Sequence, residues 1–335
     1  MAELRQNLAT REWVIIARER ARRPNAYVEA SDRLRTHERV ECDPGCPFCP
    51  GNEELDLEVW RDPPGPGWQT RIVRNKYPAL MENGSLMRHF NGVERSITGF
   101  GYHEVLVEHP LHNTTLALMT DEEVLAVLRM YLRRGQQIAA DPRIEQIVFF
   151  KNHGERAGAS LLHTHSQVVG LPIVPSDIRH RIEEARRFFD DTGQCVFCTM
   201  LNDELTRRER LVAVNERFAA FVLYAASSPF HIWIVPRQHR ASFLHVSDEE
   251  LAYLAPLLRD VLFRLYAHLN DPDFNLLIRS TPTKEPENGY FHWYIAVIPR
   301  LSRSAGLELG SGVWINPSLP EECAAFLRGD TSAGS

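Results

Sequence analysis

The chain has 335 residues, enough for about two ordinary domains or one large one, and its 44% apolar and 24% charged residues with a formal charge of -6 are an ordinary globular composition. No long basic block points to nucleic acid as a partner, residues 1–5 lack the apolar core of a signal peptide, and the longest apolar run, residues 219–226, stops at Ser227-Ser228-Pro229, too short to span a bilayer. A cytoplasmic protein with neither nucleic-acid nor membrane partners is therefore expected.

Along the chain, residues 13–16 read as a short strand followed by Arg18, Arg20, Arg22 and Arg23 before Pro24. A charge run is commonly a solvated turn, but guanidinium forks beside a rigid proline also grip phosphate. Residues 30–45 are loop-like and lead to Cys46-Pro47-Phe48-Cys49-Pro50-Gly51. The six cysteines are too sparse for a disulfide scaffold, and four of them form two C-x-x-C pairs, which points to metal or redox chemistry. A redox pair normally opens a helix, where the dipole lowers the thiol pKa; Pro50-Gly51 argues against that helix, so the first pair reads as half of a tetrahedral zinc site.

Residues 69–73 and the alternating residues 102–108 read as strands, with His112 shortly after. Thr120-Asp121-Glu122-Glu123 is a capping box opening an amphipathic helix that carries Val124, Val127, Leu128, Tyr131 and Leu132 on one face. Asp141-Pro142 ends it, residues 147–150 read as a buried strand, and Asn152-His153-Gly154 and Gly158-Ala159-Ser160 lead to His163-Thr164-His165-Ser166-Gln167. In an extended segment alternate residues share a face, so His163, His165 and Gln167 are expected on one surface, with Thr164 and Ser166 pointing away. After Pro172 and Pro175, residues 176–191 read as a polar helix terminated by Gly193, and the second pair, Cys195 and Cys198, follows at once.

The chain also repeats itself. His112 and the box at Thr120 recur 127 residues on, as His239 and Ser247-Asp248-Glu249-Glu250; Asp141-Pro142 returns as Asp271-Pro272 and His163 as His292. Each copy thus carries C-x-x-C, then His, then His: Cys46, Cys49, His112 and His163 in the first, Cys195, Cys198, His239 and His292 in the second. As buried apolar cysteines and core histidines they would have to coincide twice. The expectation is up to two zinc ions per chain, structural because four protein ligands leave no open position. Cys42 and Cys323 lack counterparts and read as structural. The layout is a first half at 1–175, a connecting helix at 176–194, a second half at 195–328 and a disordered tail at 329–335. Where the first copy has His165 and Gln167, the second has Tyr294 and Ala296. Neither is needed for metal or fold, which marks both for chemistry.

On Cys46-Pro47-Phe48-Cys49, Arg20-Ala21-Arg22-Arg23-Pro24, Asn75, Asn152-x-Gly154, Gly158-x-Ser160 and above all His163-Thr164-His165-Ser166-Gln167, the chain resembles the galactose-1-phosphate uridylyltransferase family of the histidine-triad superfamily over nearly its whole length. The resemblance implies an α+β fold of two half-barrel repeats of antiparallel strands with flanking helices, usually a homodimer. It also implies ping-pong exchange of a nucleoside monophosphate through a nucleotidyl-histidine. His165 would be the nucleophile, suited to it because a neutral imidazole is nucleophilic near pH 7. Gln167 would donate to a phosphoryl oxygen, and Arg20, Arg23, Asn75, Asn152 and Ser160 match positions that contact phosphate and nucleotide.

Classical members carry Pro at Thr164 and Gly at Ser166, away from the reactive face, with little effect expected. Residues 306–317 lack the lysine and Tyr-Glu pair of the classical sugar site and are closer to the branch containing ADP-glucose phosphorylase. The partners expected are a nucleotide sugar with a sugar 1-phosphate, as in UMP exchange between UDP-glucose and a hexose 1-phosphate, or, with phosphate as acceptor, a nucleotide sugar or a dinucleotide, as in a phosphorylase. A noncatalytic nucleotide-binding zinc protein is the remaining alternative, and the persistence of His165 and Gln167 speaks against it.

Overall fold

In the computed structural model the two sequence repeats join edge to edge in one ten-stranded antiparallel sheet. The described residues are 2–17, 27, 34–65, 67–302 and 305–330; Arg20 and Arg23 lie outside them. In chain order, β1 (Glu3–Gln6) and β2 (Trp13–Ile16) form a hairpin, and β3 (Glu58–Asp62) and β4 (Thr70–Arg74) enter the main sheet. An exposed hairpin of β5 (Arg88–Asn91) and β6 (Glu94–Ile97) precedes β7 (Tyr102–Val107), α1 (Asp121–Ala139), β8 (Gln146–His153) and β9 (His165–Leu171). Helices α2 (Ser176–Thr192) and α3 (Val196–Arg207) lead to β10 (Leu211–Val214), β11 (Phe218–Val222), β12 (Ile232–Pro236), α4 (Asp248–His268), β13 (Phe274–Arg279) and β14 (Tyr294–Pro299). The chain closes with α5 (Gly306–Ser311), β15 (Trp314–Asn316), which pairs with β2, and α6 (Pro320–Arg328).

The strand order is β3-β4-β7-β9-β8 in the first half, continuing through the seam as β13-β14-β12-β11-β10. Each half therefore contributes the same five strands in mirrored order, and β8 and β13 meet antiparallel with Asn152 opposite Asn275. Both capping boxes form as their sequences dictate, with Thr120 accepting from the Glu123 amide and Ser247 from the Glu250 amide. The apolar stripes of α1 and α4 pack on each other and on one face of the sheet, burying Val124, Val127, Leu128, Leu251, Leu254 and Leu258. Each such side chain contributes roughly 1.5–3 kcal/mol. Ion pairs Arg129–Asp248 and Arg259–Asp121 cross between the two helices. With both long helices on one face, Val168 of β9 points into the core at 0% exposure, and by alternation His165 and Gln167 face the other side.

Some local expectations change. The strand expected at 147–150 runs on to His153, because Lys151 is buried with an ionic partner instead of ending the strand. Strand β9 starts at His165, so His163 precedes it and is not bound by its alternation. Cys42 is exposed whereas Cys323 is fully buried in α6. Of the tail expected at 329–335, Gly329 caps α6 in the left-handed region, and residues 331–335 lie outside the described residues. No helix among the described residues is long and apolar enough to cross a membrane.

Candidate active site

Cys46 and Cys49 sit in a tight turn in which the Cys49 amide donates to the Cys46 carbonyl (3.2 Å) and the Asp43 amide to the Cys49 Sγ (3.3 Å). With His112 and His163 they place four ligating atoms within 4.8 Å of one another, all on buried residues. The Sγ to Nδ1 separations are 3.7 Å for Cys46–His163, 3.6 Å for Cys49–His112 and 3.5 Å for Cys49–His163. In a tetrahedron with zinc's bond lengths that edge is about 3.6 Å, so the donor set fits a four-coordinate metal. His163 Nε2–H donates to the His109 carbonyl at 2.7 Å, leaving the Nδ1 lone pair for the ligand role. Burial pushes the His163 ring down to about 4, which keeps it neutral.

Cys195, Cys198, His239 and His292 form the second such group, with Cys198 Sγ 3.4 Å and 3.5 Å from the two Nδ1 atoms. His239 Nε2–H donates to the Asn288 carbonyl at 2.8 Å. Unlike the first pair, this one opens a helix, with Cys195 as the N-cap residue of α3.

The first group shapes what lies beside it. Phe48, between its two cysteines, brings its ring to 5.5 Å from the His165 ring. His165 Nδ1–H donates to the His163 carbonyl at 2.8 Å, which leaves Nε2 with the lone pair. Burial, with the Lys151 charge adding to it, holds His165 below the ordinary histidine value despite the opposing carbonyl bond. The ring lines a cavity of about 310 Å³ together with Pro47, Phe48, Asn75, Ser160 and Gln167. Asn152 is not among its lining residues: its Nδ2 donates to the Gly158 carbonyl (3.4 Å) and its Oδ1 accepts from Asn275 (2.8 Å). The Asn152-x-Gly154 spacing has a steric cause. Gly154 has φ +81°, and a Cβ there would fall 1.9 Å from Asp273 Oδ1. A larger cavity of about 870 Å³, bounded by Arg61, Trp68 and Glu123, is lined by none of the catalytic, substrate-binding or metal-ligating residues expected from the sequence.

Three residues that sequence reasoning passed over support this arrangement. The Ala79 amide donates to His103 Nδ1 (3.0 Å), so His103 Nε2–H donates to Gln167 Oε1 (2.8 Å). That bond occupies the carbonyl end of Gln167 and leaves its amide N–H groups free to turn toward the cavity. Behind β9, Lys151 Nζ reaches Glu108 Oε2 (2.7 Å), Thr164 Oγ1 (3.0 Å) and the His165 carbonyl (3.0 Å). Glu108 also accepts from Thr164 Oγ1 (2.5 Å) and Tyr131 (2.8 Å). Burial would raise the Glu108 carboxyl, but Lys151 and these hydroxyls outweigh it and the net shift is downward. The one signal in the sequence was a lysine directly after the apolar run at residues 147–150. Thr164 does point away from the cavity, and its hydroxyl ties the turn before His165 to the buried pair.

The galactose-1-phosphate uridyl transferase N-terminal domain family matches residues 1–175. The chain belongs to the galactose-1-phosphate uridylyltransferase family. Among members of that family, ADP-glucose phosphorylase of Arabidopsis thaliana is 35% identical over 332 residues, covering 97% of this chain and 92% of that protein. Galactose-1-phosphate uridylyltransferase of Thermotoga maritima is 29% identical over 338 residues, 98% of each. The solved structure of an Arabidopsis thaliana ADP-glucose phosphorylase with bound ADP-glucose superposes with a TM-score of 0.82 at 32% identity over 100% of both chains. A solved uridylyltransferase gives 0.76 at 26% identity over 98% of each. The α+β duplication expected from the sequence is thus the uridylyltransferase-family fold.

Proposed function

We propose that this chain is a nucleotidyltransferase that exchanges UMP between UDP-glucose and a hexose 1-phosphate through a covalent nucleotide on His165. The observation that carries the reading is the His165 ring, anchored at Nδ1 by the His163 carbonyl, lining a cavity beside Gln167. Nε2 attacks the α-phosphorus of the nucleotide sugar, a P–N bond forms, and the bond from that phosphorus to the bridging oxygen breaks, releasing the sugar 1-phosphate with the electron pair. The positive charge that develops on the imidazole is stabilised by the Nδ1–H bond, and Gln167 donates to a non-bridging oxygen as charge builds there. An oxygen of the acceptor's phosphate then attacks the same phosphorus and frees His165. Asn75 and Ser160 in the cavity, with Arg20 and Arg23, are assigned to nucleotide and phosphate binding, while Asn152, bonded to Gly158 and Asn275, is assigned to holding the turn that carries Ser160.

A second reading keeps this chemistry with inorganic phosphate as acceptor, yielding a nucleoside diphosphate. It is favoured by the 35% identity with an ADP-glucose phosphorylase and by the departures at residues 306–317. Incubating the protein with UDP-glucose or ADP-glucose, each with galactose 1-phosphate or inorganic phosphate, separates the two. A new nucleotide sugar formed only with the hexose 1-phosphate supports exchange, and turnover with phosphate alone removes it in favour of phosphorolysis.

The two Cys2His2 groups are assigned zinc, which when bound holds the Cys46–Cys49 turn, and with it Phe48, in place. The working form is assigned as a cytoplasmic homodimer, checked by sedimentation equilibrium.

A further inference from the structure

The second half retains the sheet face but not its catalytic side chains. Across the seam that face runs from Gln167 through Phe150 and Leu277 to Ala296, each opposite the next in register. Trp233 lies opposite Ala296, and its ring stacks on Tyr294 with centroids 4.0 Å apart. Beyond these rings the face opens into a separate cavity of about 270 Å³, whose lining includes Arg181 of α2, Arg279 of β13, Arg300 just past β14, Ser228 and His231.

The polar groups of this cavity are short of partners. His231 is 9% exposed, its Nδ1 is 3.1 Å from Ser227 Oγ, and its Nε2 is buried without a hydrogen bond among the described residues. Ser228 Oγ is likewise buried and has no partner among the described residues. When Ser227 donates to Nδ1, the His231 Nε2 carries a hydrogen that no described residue receives. Burial drives the His231 ring down to about 3, and the charges of Arg181, Arg279 and Arg300 add to that, so the three guanidinium groups surround a neutral imidazole.

The nearby acids are already engaged. Asp177 accepts from Arg181 (3.2 Å) and Arg279 (3.1 Å), Glu12 lies 4.0 Å from Arg181, and Glu308 accepts from the Ala305 amide at the start of α5. Arg300 donates to Asn275 Oδ1, and among the described residues no carboxylate lies within ion-pair distance of it.

We propose that this second cavity binds a phosphoryl group, either inorganic phosphate or the phosphate of a small ester. Guanidinium groups from three different elements, a serine hydroxyl and an imidazole line this one cavity, a set suited to the several acceptor oxygens of a tetrahedral dianion. A carboxylate would be satisfied by a single fork. A metal ion would meet cations where it needs electron pairs. The apolar part of the lining, including Leu223, Ala225 and Ile298, leaves room for a small organic body. The proposal is independent of the transfer chemistry at His165.

The test is isothermal titration of the zinc-loaded full-length protein at low ionic strength, with inorganic phosphate in one arm and glycerol 3-phosphate in the other. Arg300→Gln is expected to weaken, by about tenfold or more, a binding component that persists in Gln167→Ala, while labelling of His165 by nucleotide sugar stays at the wild-type level. Arg300→Lys keeps the charge and is expected to retain part of that component, which separates lost binding from lost folding. Tighter binding of the ester than of phosphate identifies an ester ligand, and the reverse identifies free phosphate. Superimposable isotherms for wild type and Arg300→Gln, or loss of all phosphate binding in Gln167→Ala, would overturn the proposal.

Discussion

Replacing Lys151 by methionine removes the ammonium that lies 2.7 Å from Glu108 while nearly preserving the volume of the side chain. The two side chains are only 1% and 0% exposed, so solvent screening does not weaken the pair. Breaking one side of such a pair costs about 3–5 kcal/mol, because Glu108 is left charged with only the hydroxyls of Tyr131 and Thr164 as donors. The change also deletes the bond to the His165 carbonyl. Misplacing a reacting group by about 1 Å can cost on the order of 100-fold, so nucleotidyl transfer is expected to fall by about 10- to 100-fold.

Urea unfolding at pH 7 and at mildly acid pH measures the stability part. In the wild type the Glu108 pKa is depressed, so its contribution is present above the ordinary carboxylate value and is lost as pH falls through the depressed one. In Lys151→Met burial dominates, the carboxyl titrates higher, and the penalty shrinks on acidification. The double variant Glu108→Gln/Lys151→Met is expected to recover most of the loss, since removing both charges leaves none stranded. A cost below about 1 kcal/mol at pH 7, or a double variant as unstable as the single one, would show that Glu108 and Lys151 do not act as a buried ion pair.

Metal analysis of the purified protein is expected to find up to two zinc ions per chain; chelation should lower the unfolding midpoint, and Cys46→Ser should lose one ion. Less than one ion per chain would mean that neither group binds zinc. Asp271 accepts from the Thr36 amide (2.7 Å) and hydroxyl (2.8 Å) and lies 2.8 Å from His153 Nε2. Burial would raise its carboxyl, but these partners hold it far below the ordinary range. Asp271→Asn is therefore expected to cost about 1–3 kcal/mol at pH 7. The gap should close as acid titration proceeds below about pH 4, and a gap that widens there would contradict the assignment.

The duplication was legible because the histidine ligands, the helix caps and the Asp-Pro breaks recur at nearly constant offsets, each fixed by local chemistry, with a C-x-x-C pair ahead of them in both copies. The shared order of C-x-x-C, His and His also brought Cys46, Cys49, His112 and His163 together, and separated His165 and Gln167 from them. What local pattern did not reveal was partnership across distance. His103 reads as one more residue in an alternating strand, yet its bond to Gln167 spans 64 positions, and Glu108 meets Lys151 43 positions away. The seam between β8 and β13 is likewise a pairing of residues more than a hundred positions apart, and no periodicity encodes it. The second cavity was hidden for the same reason, since Arg181, His231, Arg279 and Arg300 belong to four different segments.

The covalent step at His165 is tested most directly by mass spectrometry of the protein mixed with a nucleotide sugar labelled in its α-phosphate, without acceptor. One nucleoside monophosphate per chain is expected, held by a P–N bond on the peptide containing His165, absent from His165→Ala and discharged when acceptor is added. An unlabelled wild type, or equal labelling of His165→Ala, would contradict it.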